Sequence, residues 1–193
     1  MEIAVIGTGF IGGILGRSLA RAGHSVTFGS RRPDTADVAE GTEIPVTSLG
    51  EALEGADAVI LALPAAAVAG LAEEHGAALE GKLVIDATNK MGQPTANSRA
   101  ALPAGVRYAR AFNTLGGENM ADPVFADGRA DMFFSSPEAD RAVVEDIIGA
   151  VGLRPVYLGA DKEELLDAVF RLWITLAMEQ GRGRRLALRL LEG

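Results

Sequence analysis

The chain has 193 residues, of which 48% are hydrophobic and 23% charged, so it is long and apolar enough to bury one sizeable core. The formal net charge of −8 argues against a nucleic-acid partner, because backbone phosphates need a basic face. Cysteine is absent and only two histidines occur, at positions 24 and 75. Thiolate catalysis and disulfides are therefore excluded, and no metal centre is expected.

No segment predicts membrane association. The longest uncharged apolar stretch, residues 58–72, is shorter than a bilayer span and contains Pro64. The N-terminus has no basic region ahead of an apolar run, so we expect no signal peptide. We therefore expect a cytoplasmic protein, with which the lack of cysteine agrees.

The first elements in chain order predict a strand–helix–strand unit with a glycine-rich turn. Residues 3–6 are an apolar run typical of a buried strand, and a helix at 10–22 and a second strand at 25–29 follow. The turn consists of Gly7, Thr8, Gly9, Phe10, Ile11 and Gly12. Its first glycine permits the tight turn, the second lets the backbone approach a pyrophosphate, and the third allows the helix to pack closely on the sheet. Because the three elements occur in the required order, the pattern predicts a dinucleotide-binding site.

The residues after the second strand predict which dinucleotide binds. Ser30, Arg31 and Arg32 stand where an NAD site usually places a carboxylate on the ribose 2′-hydroxyl. A 2′-phosphate needs hydrogen-bond donors instead, and a guanidinium offers a planar, charge-assisted pair of them. We therefore predict NADP(H) as the cofactor. The alternative is that both arginines belong to a solvated turn before Pro33.

Strands and helices continue to alternate along the rest of the chain. Predicted strands are 43–46, 57–63, 82–86, 107–112, 130–135 and 154–158, and predicted helices are 34–40, 49–54, 65–79, 137–149 and 161–191. The last of these helices is long, and an interruption within it is an open alternative. Residues 89–105 are rich in glycine, proline, asparagine and serine, which predicts an ordered loop. This alternation predicts an α/β fold, a Rossmann-like, doubly wound, mostly parallel sheet with a C-terminal helix. We expect residues 1–193 to form a single NADP-binding domain that includes a C-terminal helical segment at about 161–193.

Ligands of such sheets bind beyond the carboxyl ends of the strands, so residues after the fourth, fifth and sixth strands are candidate contacts of the nicotinamide. Those candidates are Leu63, Pro64, Asn89, Ala111 and Asn113. Structural alternatives stay open, since Pro64 can simply start a helix and Asn89 and Asn113 are common turn residues. Asp86 can cap the amides of the following loop, and Lys90 is expected to be solvated.

The last predicted helix has apolar residues at helical spacing, typical of packing against the sheet. They are Leu165, Leu166, Val169, Leu172, Trp173, Leu176 and Ala177. This apolar helix also makes a homodimer a hypothesis. Four arginines follow it, Arg182, Arg184, Arg185 and Arg189, and suit a solvated helix C-terminus. Contact with an anionic part of the substrate is the alternative.

Four segments together resemble a known family, the NADPH-dependent coenzyme F420 reductases, also called F420H2:NADP oxidoreductases. The segments are 7–12, 29–33, 111–114 and 152–155, and the resemblance extends over nearly the whole chain. It implies that residues 8–11 hold the pyrophosphate and that Ser30 and Arg31 hold the 2′-phosphate with help from Arg32. It also implies that Pro64, Val68 and Ala111 lie along the nicotinamide.

The resemblance implies hydride transfer between NADP(H) and coenzyme F420, a deazaflavin co-substrate, with no catalytic side chain and no metal, since the chemistry lies in the two rings. The first two segments do not distinguish the deazaflavin from other small-molecule redox acceptors. An NADPH-dependent reductase of flavin, ferric chelate or a small imine or carbonyl is therefore an alternative. A non-catalytic NADPH-sensing module is another, although such modules usually carry a carboxylate after the second strand. The acceptor side also departs from the family, whose archaeal members often carry His where Asn113 stands.

Overall fold

The computed structural model describes residues 1–36, 43–90, 98–191 and 193, and its main feature is a six-stranded sheet in which every strand pairs in parallel. The strands are Glu2–Ile6 (β1), Ser25–Ser30 (β2), Val46–Ser48 (β3), Ala58–Leu61 (β4), Leu83–Asp86 (β5) and Arg107–Arg110 (β6). Their order is β3-β2-β1-β4-β5-β6, so the chain winds first to one side of β1 and then to the other. The predicted Rossmann-like, doubly wound sheet is confirmed, and its crevice lies at the carboxyl ends of β1 and β4.

Helices cover both faces of this sheet. They are Phe10–Arg21 (α1), Leu49–Glu54 (α2), Val68–Leu79 (α3), Ser98–Ala101 (α4), Gly117–Ala121 (α5), Arg141–Ala150 (α6) and Glu163–Ile174 (α7). Successive residues of β1 enter different cores: Ile3 and Val5 pack with α1 and α6, whereas Ala4 and Ile6 pack with α2 and α3. A strand segment that is buried on both faces has no polar positions, which explains why residues 3–6 of β1 are all apolar.

The later strands lie outside the main sheet. They are Val124–Phe125 (β7), Gly128–Arg129 (β8), Asp131–Phe134 (β9) and Arg154–Tyr157 (β10). The predicted strands at 130–135 and 154–158 do form, but β9 and β10 pair with each other in parallel. A single antiparallel bridge between Arg110 and Ser135 joins this pair to the end of β6.

Several boundaries differ from the sequence prediction. The third strand was expected at 43–46 but runs from Val46 to Ser48, because Ser48 both ends the strand and caps α2 with a reciprocal Glu51 contact. The helix expected at 34–40 is a short 3₁₀ turn, Pro33–Thr35, and residues 37–40 lie outside the described residues. The loop expected at 89–105 contains the short helix α4, and its residues 91–97 also lie outside the described part of the chain.

The C-terminal helix is shorter than predicted. It was expected to reach residue 191, but α7 passes into a π-helical segment, Thr175–Glu179, and helical structure ends there. Gly181 and Gly183 take positive φ angles of 66° and 84°, conformations that end a helix. Residues 184–191, here called the C-terminal arm, then return across the protein, and the Trp173 indole Nε1 donates to the Leu186 carbonyl at 2.7 Å.

The helices within the described residues include none that is both long and apolar enough to cross a membrane.

Candidate cofactor-binding site

An elongated cavity of about 710 Å³ opens at the carboxyl ends of β1, β2 and β4. Residues 7–9 form its floor, residues 29–32 form one wall, and residues from Ala62 to Glu74 form the other. Eight residues predicted from the sequence line it: Gly7, Thr8, Gly9, Ser30, Arg31, Arg32, Leu63 and Pro64. Residues separated by more than fifty positions in the sequence thus come together in one groove at the switch point of the sheet.

The glycine-rich turn fits a pyrophosphate. A Cβ on Gly12 would lie 2.0 Å from the Gly7 carbonyl oxygen, so this position is closed by protein packing. A Cβ on Gly9 would meet nothing within 4 Å, so the space beside Gly9 is open to a ligand. Gly9 also starts α1 without a side-chain cap, and the first turn holds no acidic residue. The amides at this helix end are therefore free to bind an anion.

The exposure and position of the two arginines after β2 suit the binding of a phosphate. The Arg32 backbone amide donates to Ser30 Oγ at 3.1 Å, which folds the chain into a short turn. Arg31 and Arg32 are both exposed, and no carboxylate of the described residues forms a salt bridge with either of them. Arg31 and Arg32 both line the cavity, as the predicted 2′-phosphate contact requires.

Four predicted residues near this groove, Phe10, Ile11, Gly12 and Val68, lie outside the cavity lining. Phe10 is 62% exposed at the start of α1, and a Cβ on Gly117 would meet its ring. Ile11 and Gly12 follow it in α1, and Gly12 is buried. Val68, which the family resemblance placed along the nicotinamide, is 1% exposed and packs in the core beside α2 and β4. Pro64 lines the cavity and also precedes a 3₁₀ turn, Ala65–Ala67, as its structural alternative expected, and its contact with the nicotinamide stays a prediction.

The predicted residues after β5 and β6 are buried more deeply than the predicted residues that line the cavity. Ala111 and Asn113 are fully buried, and Phe112 between them has a φ of 63°, a rare conformation for a residue with a Cβ. Asn89 Nδ2 donates to the Asn113 carbonyl at 2.9 Å. Asn89 Oδ1 and both amide atoms of Asn113 are buried and have no hydrogen-bond partner among the described residues. A buried polar group left unpaired costs about 1–3 kcal/mol, so these atoms are a feature that packing alone does not explain.

A buried ion-pair network lies directly behind these residues, and the sequence analysis did not predict it. Arg110, at the end of β6, is 1% exposed. Its Nη1 donates to Asp86 Oδ2 at 3.0 Å, and its Nη2 donates to Asp167 Oδ1 at 2.8 Å. Asp86 ends β5 and Asp167 belongs to α7, so one guanidinium joins two strands and the C-terminal helix. Burial alone would lower the pKa of Arg110, but the two carboxylates and the nearby Tyr108 keep that pKa above its ordinary value.

The same network holds the chain that leads to Asn89. Asp86 Oδ1 accepts from the Thr88 amide at 2.8 Å, which confirms the expectation that Asp86 caps the loop. Arg110 Nη2 donates to the Thr88 carbonyl at 3.1 Å, and the Tyr108 hydroxyl donates to Asp86 Oδ2 at 2.7 Å. Burial and the charge of Asp86 raise the pKa of the Tyr108 phenol, so it stays protonated and remains a donor.

Two of the C-terminal arginines form ion pairs with other parts of the protein, which the sequence prediction of a solvated helix end did not include. Arg184 forms two hydrogen bonds with the Glu118 carboxylate, at 2.6 and 3.0 Å, and Arg185 pairs with Asp122 at 2.7 Å. Asn119 Nδ2 donates to the carbonyls of Arg184 and Leu186, both at 2.9 Å. The C-terminal arm is thereby attached to α5, which faces the start of α1. Among the described residues, no three His, Asp or Glu side chains are close enough together to hold a metal ion.

Part of the chain matches a family of known proteins. Residues 2–90 match the family described as NADP oxidoreductase, coenzyme F420-dependent. These residues include the glycine-rich turn, the arginines and the strand ends up to Asn89. The family resemblance drawn from the sequence is confirmed, and the nucleotide-binding part of the chain is similar to these NAD(P)-dependent oxidoreductases.

Solved structures extend the similarity over the whole chain. A proposed F420-dependent NADP reductase from Arthrobacter sp. FB24 is 25% identical, with a TM-score of 0.84 over 100% of both chains. The hypothetical protein SMa0349 from Sinorhizobium meliloti is 26% identical, with a TM-score of 0.72 over 100% of this chain and 96% of that one. An imine reductase from Streptomyces aurantiacus is 20% identical, with a TM-score of 0.73 over 91% of this chain and 61% of that one, and shares the fold.

A curated relative matches part of the chain. Glycerol-3-phosphate dehydrogenase [NAD(P)+] of Paracoccus denitrificans is 33% identical over 112 residues, which are 54% of this chain and 35% of the relative. The chain therefore matches about a third of the length of that enzyme.

Proposed function

We propose that this protein transfers a hydride between NADP(H) and coenzyme F420. The observation that carries the NADP(H) part is one cavity that combines an open glycine turn with two exposed arginines, neither of which pairs with a carboxylate of the described residues. The F420 part is supported by the family match over residues 2–90 and by the description of the Arthrobacter structure.

In this proposal each wall of the cavity has a separate task. The backbone at Thr8 and Gly9 and the amides at the start of α1 bind the pyrophosphate. Ser30 and Arg31 bind the 2′-phosphate, with Arg32 beside them, because a doubly charged phosphate prefers charge-assisted donors. Leu63 and Pro64 supply an apolar surface on the way to the nicotinamide.

When both are bound, the nicotinamide and the deazaflavin supply the redox chemistry themselves, and the protein needs no side-chain nucleophile for it. The residues of this chain hold the reacting rings in a fixed orientation and keep water from the space between them. We expect Pro64, after β4, and the segment after β6 to contribute to this. A proton for the deazaflavin ring can come from solvent.

An acceptor panel tests the proposal. Purified protein and NADPH are mixed under anaerobic conditions with one acceptor at a time: coenzyme F420, free flavin, a ferric chelate, a cyclic imine or a small carbonyl compound. The absorbance of NADPH and that of the acceptor are both followed. We expect turnover of the deazaflavin to exceed that of every other acceptor. Rapid oxidation of NADPH by flavin or imine without deazaflavin turnover would overturn the F420 part. Tight NADPH binding without any turnover would favour a sensing module.

The homodimer is likewise a proposal. Leu165 and Leu172 on α7 are 50% and 48% exposed, on the side of the helix away from the buried Phe170. Packing this face against a second copy would cover both leucines. Light scattering of the wild type and of Leu172→Glu tests this: we expect a dimer that the charged variant converts to a monomer, whereas a monomeric wild type would contradict it.

A further inference from the structure

A second cavity, of about 780 Å³, lies away from the cofactor cavity. Ala22 and His24, which line it, come just before β2 begins, whereas the cofactor cavity opens where the strands end. No described residue lines both cavities. Small-molecule sites usually have volumes of about 300–1,000 Å³, so the second cavity is large enough to hold a ligand of its own.

Three arginines from three different elements line this second cavity. Arg129 belongs to β8, Arg154 begins β10, and Arg189 belongs to the C-terminal arm. Arg154 is engaged, because its Nε and Nη2 donate to the two carboxylate oxygens of Asp131 at 2.6 and 2.8 Å. Arg129 and Arg189 are exposed, and no carboxylate of the described residues forms a salt bridge with either of them. The chain has 26 acidic residues and only 18 lysines and arginines, so a shortage of carboxylates does not explain this.

The position of Arg189 is fixed by contacts on both sides of it. The Leu188 carbonyl accepts from the Asp131 amide at 3.1 Å, and the Leu190 amide donates to Asp131 Oδ2 at 2.6 Å. A Cβ on Gly128 would lie 1.6 Å from Arg189 Nη1, so the guanidinium rests on the backbone of this glycine. An anion that binds Arg189 therefore meets a side chain that is already positioned, which lowers the entropic cost of binding.

The acidic residues of the cavity wall face other side chains. Glu145 Oε1 accepts from Arg141 Nε at 2.8 Å, and Asp146 Oδ2 lies 4.0 Å from His24 Nε2. The wall also contains the apolar residues Ala150, Leu153 and Pro155. The cavity thus combines two cations that no described carboxylate neutralises with an apolar surface for a carbon skeleton.

We propose that the second cavity binds a small anionic metabolite through its carboxylate or phosphate groups. Arg129 and Arg189 bind these groups, because a guanidinium matches a carboxylate or a phosphate with two parallel N–H donors. The carbon skeleton of the ligand packs on Leu153 and Pro155. The bound anion joins the C-terminal arm to β8. This site is separate from the proposed hydride transfer and does not depend on it.

Calorimetric titration of the full chain tests the proposal, with inorganic phosphate and citrate as separate probes at physiological ionic strength. Wild type is compared with Arg129→Ala and Arg189→Ala. Arg171→Ala is the matched control, since Arg171 is exposed on α7 and also forms no salt bridge with a described carboxylate. Arg31→Ala is included because the cofactor cavity also presents arginines to an anion. Thermal unfolding without ligand is recorded for every variant.

We expect wild type to bind at least one probe saturably, and the probe that binds more tightly identifies the ligand as a phosphate or a carboxylate. Arg129→Ala and Arg189→Ala should each raise the dissociation constant by about tenfold or more, because a charge-assisted contact is lost. Both should keep the wild-type unfolding temperature, since neither side chain has a carboxylate partner to lose. Arg171→Ala and Arg31→Ala should keep the wild-type affinity for the probe.

Three results would overturn the inference. The first is a wild type that binds neither probe saturably, which needs no variant and so is independent of folding. In the second, Arg31→Ala abolishes anion binding while Arg129→Ala and Arg189→Ala keep it, so the anion occupies the cofactor cavity. In the third, Arg171→Ala weakens binding as much as Arg189→Ala, so the attraction is only non-specific. Titration of the same wild type with NADP+ tests the cofactor proposal separately.

Discussion

The two ends of the candidate site are built in opposite ways. At the adenosine end, Gly9 and Arg31 are open to the cavity, and their groups have no partner in the described protein. At the ring end, Arg110 is fully buried and its guanidinium is shared between Asp86 and Asp167. The adenosine end therefore binds with little effect on folding, whereas the ring end is part of what holds the fold together.

Because of this difference, substitutions at the two ends should affect different properties, namely cofactor affinity at one end and protein stability at the other. A substitution at the adenosine end removes a contact that exists only with the cofactor, so affinity should change and the unfolding free energy should not. A substitution in the buried network leaves a charge without a partner, so the unfolding free energy should change first.

Arg110→Met should have the largest effect on stability. It leaves Asp86 and Asp167 buried without their cation and should lower the unfolding free energy by about 3–5 kcal/mol. Chemical denaturation measures it. Arg99 also contacts two carboxylates, those of Asp161 and Glu163, but is about half exposed, so Arg99→Met is a matched control expected to cost about 0–1 kcal/mol. Similar losses in both variants would contradict the contrast between the buried and exposed networks.

Arg31→Ala should weaken NADPH binding by about 1.5–3 kcal/mol, or roughly ten- to a hundredfold, because a charge-assisted phosphate contact is lost. NADH affinity should change little, and the unfolding free energy should not change. Titration with both cofactors measures this, and Arg21→Ala at the exposed end of α1 serves as the control. An equal loss for NADPH and NADH would remove the 2′-phosphate assignment.

Tyr108→Phe should change how stability depends on alkaline pH. Burial and the charge of Asp86 raise the folded-state pKa of Tyr108, while the unfolded phenol titrates near about pH 10. The stability from this group is fully present below about pH 10 and is lost as pH rises further, by at most about 1.4 kcal/mol per pH unit. Urea denaturation across this range should give a smaller loss for the Phe variant. Parallel curves would contradict the assignment.

Gly183→Ala should lower the unfolding free energy by about 1 kcal/mol through backbone strain. The φ angle of Gly183 is 84°, and a Cβ there would meet no atom within 4 Å, so a steric clash does not contribute. Gly55→Ala is the matched control: Gly55 also has open space around its Cβ position but a φ of −84°, so that variant should be neutral or slightly more stable. Thermal unfolding compares the two. An unaffected Gly183→Ala would mean that the C-terminal arm does not depend on this turn.

The adenosine end could be predicted because its signals are local. Gly7, Gly9 and Gly12 are contiguous with the strand and helix that they join, and Ser30 and Arg31 follow the next strand directly. Each residue acts through its own backbone position or its exposed side chain, so spacing along the chain carries the information. The lining of the cavity includes these residues, except for Gly12, which packs on the Gly7 carbonyl.

The ring end could be predicted only as a set of strand ends. Asn89 and Asn113 were placed correctly beside β5 and β6, but nothing in the sequence indicates that Asn89 donates to the Asn113 carbonyl. Val68, which the family resemblance assigns to the nicotinamide surface, lies in the core, and its contact with the cofactor stays a prediction.

The sequence by itself determined the parallel doubly wound sheet and the glycine turn, because hydrophobic periodicity and turn chemistry act over a few residues. It also predicts a preference for NADP(H), from Ser30, Arg31 and Arg32. Only the tertiary structure decided that Asp167, on α7, neutralises Arg110, on β6, across 57 positions of sequence. It also decided that the C-terminal helix stops at residue 179 and that the arm packs against α5. Such contacts depend on which elements become neighbours in space, and burial then makes a distant charge pair as influential as any local motif.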